Sequence, residues 1–223
     1  MKASTAGAVN ASKPPKVSRK PKPVASQPAL ELRDACIVAA REVISERGLE
    51  NLSLREVARK LGVSHQAPYK HYPSRDHLLA EVIRRCLQGF AAFLDARPRY
   101  EDPQQDLDSL GLQYLTYARE NPLEYRLMFS TAWPETAERP ELIADAVYAY
   151  EILRGVLRRV HGNSPEVQDL VELDALHAWS MVHGMAGVMS GQFIEHLGLK
   201  SGVIKQMVSH SMSRHAMAVR GRC

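Results

Sequence analysis

Cysteine is scarce in this chain, with only Cys36, Cys86 and Cys223 among 223 residues. That odd number, without zinc-like spacing, argues against a disulfide-stapled secreted scaffold and suits a reducing cytoplasm. No run of about 18 apolar residues occurs, so no membrane span is expected. The first residues lack the apolar stretch of a secretory signal. Aromatic residues make up 6% of the chain, and alternating Val/Ile patterns are rare. That balance disfavours strands and predicts an all-α protein. Signatures of catalysis are also missing. No Gly-rich phosphate loop follows a strand, and no nucleophile motif occurs. His177, His183, His210 and His215 lack a partner acid at ligand spacing, and His210 and His215 do not share a helical face. No enzyme activity, metal or cofactor is therefore expected.

Acid is absent from residues 1–28, which carry Lys2, Lys13, Lys16, Arg19, Lys20 and Lys22. The net charge is +4 overall, so with +6 in this segment the remainder stands at −2. The segment is rich in Pro, Ala and Ser and too poor in large apolar residues to fold. It reads as a disordered basic arm. Two readings stay open: contact with DNA phosphate or minor groove, or a solvated leader.

What is present is 45% apolar residues, enough for a sizeable core in one or two domains. The most informative stretch runs from Ser53 to Leu79. Ser53 and Glu56 have capping-box spacing. Leu54, Val57, Ala58 and Leu61 make one apolar face, and Gly62 is a left-handed cap. Ser64 is placed to cap a second short helix over about 65–71. That helix carries His65, Gln66, Ala67, Tyr69, Lys70 and His71, more polar and aromatic than a core would be. Such a helix suits the DNA major groove.

Residues 29–94 resemble the DNA-binding domain of TetR/AcrR-type transcriptional regulators. The resemblance rests on Gly48, Leu54, Val57, Ala58, Leu61, Gly62, Val63, Ser64, Tyr69, His71, Tyr72, Arg75, Leu78 and Leu79. Tyr72 stands where the family usually has Phe, and Arg75 where it usually has Lys. Pro68 falls in the first turn of the recognition helix, where it should be tolerated. The resemblance implies phosphate contacts from Tyr69 and His71 and a core place for Tyr72. Ser53 can donate to phosphate while capping, Arg75 would add a charged clamp, and His65, Gln66, Ala67 and Lys70 are the base-facing candidates.

The helices should run over about 28–47, 54–61, 65–71, 75–96, 103–119 and 122–130, then on to 161, with the last two over 165–197 and 201–219. Asp102, Asn121 and Ser164 each precede a proline and should cap helices. Arg97-Pro98 marks a boundary, giving a helix-turn-helix domain at 29–96 and a helical ligand-binding and dimerisation domain at 97–223. Trp179, His183 and Gly184, with the segment 121–129, resemble a Trp-His-Gly type of sensing domain found on TetR-like regulators. Gly184, Gly187, Ser190 and Gly191 leave room for a neighbouring helix or a ligand. The resemblance implies a homodimer through the last two helices. Candidate ligand contacts are Tyr117, Phe129, Tyr148, Trp179 and His183, with His183 either a polar anchor or a satisfied core histidine.

The expectation is a cytoplasmic, homodimeric regulator. It would bind double-stranded DNA at a palindromic operator and, as the resemblance implies, act as a repressor released by a small apolar or amphipathic effector. Two rivals are a non-specific architectural DNA-binding protein and a helical ligand-binding protein that has lost operator binding.

Overall fold

A computed structural model of the chain describes residues 27–135, 139–162, 164–191 and 193–220, and among these every regular element is helical. The basic arm lies outside the described residues up to position 26, as does Cys223. Helix α1 spans Gln27–Arg47. It buries Cys36, Ile37, Ala39, Ala40, Val43 and Ile44, the stripe its periodicity predicts. Gly48 ends it at φ 87°, ψ 161°, a backbone conformation that L side chains rarely adopt and glycine takes without strain. After a 3-10 turn at Leu49–Asn51, α2 covers Leu54–Leu61. Gly62 sits at φ 67°, with Val63 N–H bonded to Ala58 O at 3.1 Å and Gly62 N–H to Arg59 O at 3.3 Å. That pair of bonds is a Schellman closure.

The expected α-helix at 65–71 does not form as such. Residues 65–67 make a turn, and Pro68–Lys70 a single 3-10 turn. Most bonds run from residue i+3 to i, as Ala67 N–H to Ser64 O at 3.0 Å and His71 N–H to Pro68 O at 3.0 Å, with one i+4 bond at the exit, Tyr72 N–H to Pro68 O at 2.9 Å. Pro68 is the cause. It lacks the N–H that would reach Ser64 O, and its ring crowds that carbonyl, so the segment tightens.

Helix α3, Arg75–Asp95, is capped by Ser74, whose Oγ accepts from His77 N–H at 3.3 Å. It buries ten residues from Leu78 to Leu94 and packs most heavily on α6. Helices α4 (Pro103–Glu120), α5 (Pro122–Phe129) and α6 (Pro140–His161) follow. Asp102 caps α4 as expected, accepting from Gln104 N–H at 2.9 Å. Asn121 instead turns its side chain back, donating to Tyr117 O at 3.3 Å and closing α4 rather than opening α5. Ser164 likewise makes no side-chain cap.

The helix expected over 165–197 is broken into a 3-10 turn at Pro165–Val167, α7 over Gln168–Ser190 and a short α8 over Phe193–His196. Gly191 leaves the helical region at φ −82°, ψ 135°. Gly184 and Gly187 in the last two turns, followed by Gly191 at the C-cap, lower helix propensity enough for the chain to exit there. Helix α9 is Ser201–Arg220. One apolar cluster runs from Cys36 to Ala186, so the two predicted domains share a core with α3 as its spine. No described helix is long and apolar enough to cross a membrane.

Candidate nucleic-acid interface and ligand cavity

The stretch expected to meet nucleic acid is held by its backbone. Ser53 Oγ accepts from Glu56 N–H at 3.2 Å, which fixes the start of α2. Ser64, His65, Gln66, Tyr69 and Lys70 are exposed, whereas Ala67 and His71 are half-buried. His65, Gln66 and Tyr69 line one open depression together with Arg55. Sequence reasoning missed Arg55. Its signal is its place on α2 directly after Leu54, turned away from the apolar face. Arg47 and Arg59 pair with Glu56, and Lys60 with Glu42 and Glu46. Among the described residues no carboxylate pairs with Arg55, so its charge is available to phosphate.

Arg75 is part-exposed and also bonded within the protein. Its Nε donates to Leu52 O at 3.1 Å and an Nη to Leu49 O at 3.0 Å. The guanidinium satisfies carbonyls of the loop before α2, so it pins α3 to that loop. Tyr72 is a core residue, its hydroxyl donating to Arg33 O at 3.0 Å. Burial pushes that hydroxyl up to about 12.

In the other half, a cavity of about 230 Å³ opens among α3, α4, α5, α6, α7 and α9. Leu87, Phe90 and Leu94 reach it from α3, Leu107, Leu110 and Tyr114 from α4, and Tyr150 and Leu153 from α6. Val182, Met212, His215 and the indoles of Trp133 and Trp179 complete most of the wall. Of the five expected ligand contacts, Phe129 and Trp179 line it.

His183 stands behind the wall. Its Nδ1 is 2.7 Å from the Tyr125 hydroxyl and 3.0 Å from that of Tyr114, and the two hydroxyls are 3.1 Å apart. His183 thus reaches the cavity through Tyr114. Burial first, then the bond with Tyr125, raises the Tyr114 hydroxyl far above its ordinary value and keeps it protonated.

Tyr117 and Tyr148 do not line the cavity. Tyr117 is wedged against Phe90 and Phe93, its hydroxyl 3.5 Å from Cys86 O. Tyr148 is 55% exposed and donates to Asp95 Oδ2 at 2.8 Å. The inward face of α6 is Ala146, Ala149, Tyr150 and Leu153. Helical spacing therefore selects Tyr150 over Tyr148.

Helix α3 reaches both sites. Its first residue ties to the loop before α2, and its last turns line the cavity. Arg41 of α1 pairs with Glu124 of α5. Gln88 and Arg84 of α3 both meet Asp145 of α6, at 3.0 and 3.6 Å. Among the described residues no three His, Cys, Asp or Glu side chains converge as a metal site would require.

Residues 37–82 match the family model described as bacterial regulatory proteins, tetR family. Residues 107–207 match that of the tetracyclin repressor-like C-terminal domain. The chain is 26% identical over 130 residues to the HTH-type transcriptional regulator TcmR of Streptomyces glaucescens, covering 57% of this chain and 58% of that protein. It is 24% identical over 84 residues to the nucleoid occlusion factor SlmA of Glaesserella parasuis serovar 5 (strain SH0165), covering 38% of this chain and 42% of that one. These matches span about two fifths to three fifths of the relatives' lengths. A solved structure from Rhodococcus sp. RHA1 shares the fold with a TM-score of 0.69 at 20% identity, over 90% of this chain and 98% of that one.

Proposed function

The chain belongs to the TetR family, and we propose that it is a sequence-specific DNA-binding regulator of transcription that works as a homodimer. In this reading it is a cytoplasmic repressor without enzymatic activity, released from a palindromic operator by a small effector. The observation that carries the reading is the position of α3, which joins an exposed, cation-bearing recognition face to an apolar cavity. Tyr69 and Arg55 would contact phosphate, while His65, Gln66 and Lys70 would face base edges. A dimer through α7–α9 would set two recognition faces about 34–36 Å apart, one helical turn of DNA. Gly184 and Gly187 would face the second copy, since a Cβ on either meets nothing within 4 Å. An effector wedged against Leu87, Phe90 and Leu94 would tilt α3 and change that spacing, which is a coupling free energy between two sites.

A genome-wide map of bound sites, followed by anisotropy with the recovered duplex and scrambled duplexes, tests the reading. Palindromic sites upstream of genes, preferred over scrambled DNA, are the expected result. A second reading, DNA binding that does not control promoters, draws on the likeness of 84 residues of the chain to a nucleoid occlusion factor. Sites scattered without regard to promoters would favour it.

A further inference from the structure

His215 is out of keeping with the wall it belongs to. It projects from α9 into the cavity and is only 3% exposed. Both of its ring nitrogens are buried without a hydrogen-bond partner among the described residues. A buried imidazole in that state is costly, and such a group in a folded protein calls for a missing partner. The His177 ring lies beside it, with centroids 5.1 Å apart, and does not supply a bond. A lone water is a poor candidate, because buried waters need two to four polar partners and the wall around His215 is mostly hydrocarbon.

The chemistry of the missing partner is constrained by charge. Among the described residues no lysine or arginine lines the cavity, so an anion would enter without a counter-charge. The lining carboxylate, Asp108, is already engaged by Gln104 Nε2 at 3.3 Å. Desolvation, with His177 nearby, pulls His215 below its ordinary value, although Asp174 opposes this. The imidazole is therefore neutral at pH 7, with one donor and one acceptor nitrogen. Size is constrained as well. A cavity of roughly 150 Å³ takes benzene, and this one is about 230 Å³.

We infer that the cavity takes an uncharged, largely apolar molecule about the size of a substituted benzene, anchored by one hydroxyl hydrogen-bonded to one of the two unpartnered ring nitrogens of His215. This rests on reading the cavity as the effector site, and adds its chemical class and its polar anchor. The His215 position was open to notice in the sequence. Ile204, Val208, Met212 and His215 fall on one helical stripe, a histidine where an apolar residue is the norm.

The test uses the full chain without DNA. Its two tryptophans, Trp133 and Trp179, both line the cavity, so intrinsic fluorescence reports occupancy. Four probes of one shape are titrated: phenylpropanol, propylbenzene, phenylpropanoate and phenylpropylammonium. The alcohol should bind at least about tenfold more tightly than either ion. His215→Phe should weaken the alcohol by about fivefold to tenfold and leave propylbenzene unchanged or tighter. His215→Gln, which keeps a donor and an acceptor, should retain most of the alcohol affinity, and it serves if the Phe variant folds poorly. Tighter binding of either ion, no binding of any probe, or one alcohol-to-hydrocarbon ratio across wild type and both variants would overturn the inference. If the alcohol binds through His215 yet leaves operator affinity untouched, the inference stands and effector-driven release fails. If release is driven by compounds whose binding ignores His215, the reverse holds.

Discussion

The recognition face and the cavity wall hold their side chains by opposite means. The face comes from one stretch, residues 53–75, and its candidate readers Arg55, His65, Gln66, Tyr69 and Lys70 are exposed. Caps, a Schellman closure and a proline-tightened turn fix the backbone under them. The wall is assembled from six helices, and its rings brace one another. Phe90 meets Tyr114 at 5.3 Å, Tyr117 at 5.0 Å and Phe129 at 5.9 Å. A change on the face should therefore alter what is read and spare the fold. A change in the wall should alter volume, stability and sensing together. Helix α3 belongs to both regions, and the coupling proposed above depends on it.

Substitution at the centre of the wall should break this contrast most severely. Phe90→Ala removes the ring shared by three aromatic neighbours and should cost about 3–5 kcal/mol of stability, read by urea unfolding. Because Phe90 sits on α3, DNA affinity should fall with it at any temperature where the fold is compromised. A cost under about 1 kcal/mol would mean that the wall is soft enough to collapse, and that the cavity is not preformed.

Alkaline pH should strain the wall and the seam around α3. Burial raises the Cys86 thiol from 9.0 to about 11 and the Tyr117 hydroxyl from 10.0 to about 12. Both groups are acids held neutral in the fold. Their stabilisation is full below pH 9 and is lost as the pH climbs through about 11 to 12. Each tenfold weakening of such an acid on folding corresponds to about 1.4 kcal/mol. Urea midpoints should fall steadily above pH 9, and Cys86→Ala should flatten the first part of that fall. A midpoint that holds to pH 11 would show that these groups are not sequestered.

Substitutions on the face should be smaller in effect and confined to DNA. Gln66→Ala should cost about 1–3 kcal/mol of binding at one base position, and Tyr69→Ala should weaken all sequences alike. Neither should change the unfolding free energy by more than about 0.5 kcal/mol. Arg75→Ala should behave differently from its neighbours. It frees the carbonyls of Leu49 and Leu52, so it should lower stability by about 1–2 kcal/mol as well as DNA affinity. An Arg75→Ala chain with unchanged stability and lost DNA binding would leave it the role of a clamp alone.

The same contrast explains what the sequence disclosed. The face was legible because its signals are local. Ser53, Gly62 and Ser74 announce helix ends within a few residues of where they act, and all three helix ends sit as expected. Pro68 is the exception: the N–H it lacks turns the expected recognition helix into a tight turn. The wall was less legible because its members come from helices far apart in the chain. An aromatic residue in a helix announces bulk but not direction. Tyr148 and Tyr150 look alike in the sequence, and only the phase of α6 separates the exposed one from the lining one. The backbone bonds of Arg75 were equally hidden, since an arginine bonded to carbonyls and a free one leave the same letter. Asp106 shows the limit most plainly. It is buried between Arg97 and Arg159, tying the loop before α4 to α6, and nothing near it in the sequence marks that pairing.

The most direct test of the account is reciprocal. The affinity of a cavity-binding probe, read from Trp133 and Trp179, is measured on the free chain and on the chain saturated with its operator duplex. The operator affinity is measured with and without saturating probe. If α3 couples the two regions, DNA must weaken the probe by the same factor by which the probe weakens DNA, about tenfold or more. Equal probe affinity in the two states would contradict the account, because the cavity would then be filled without consequence for the recognition face.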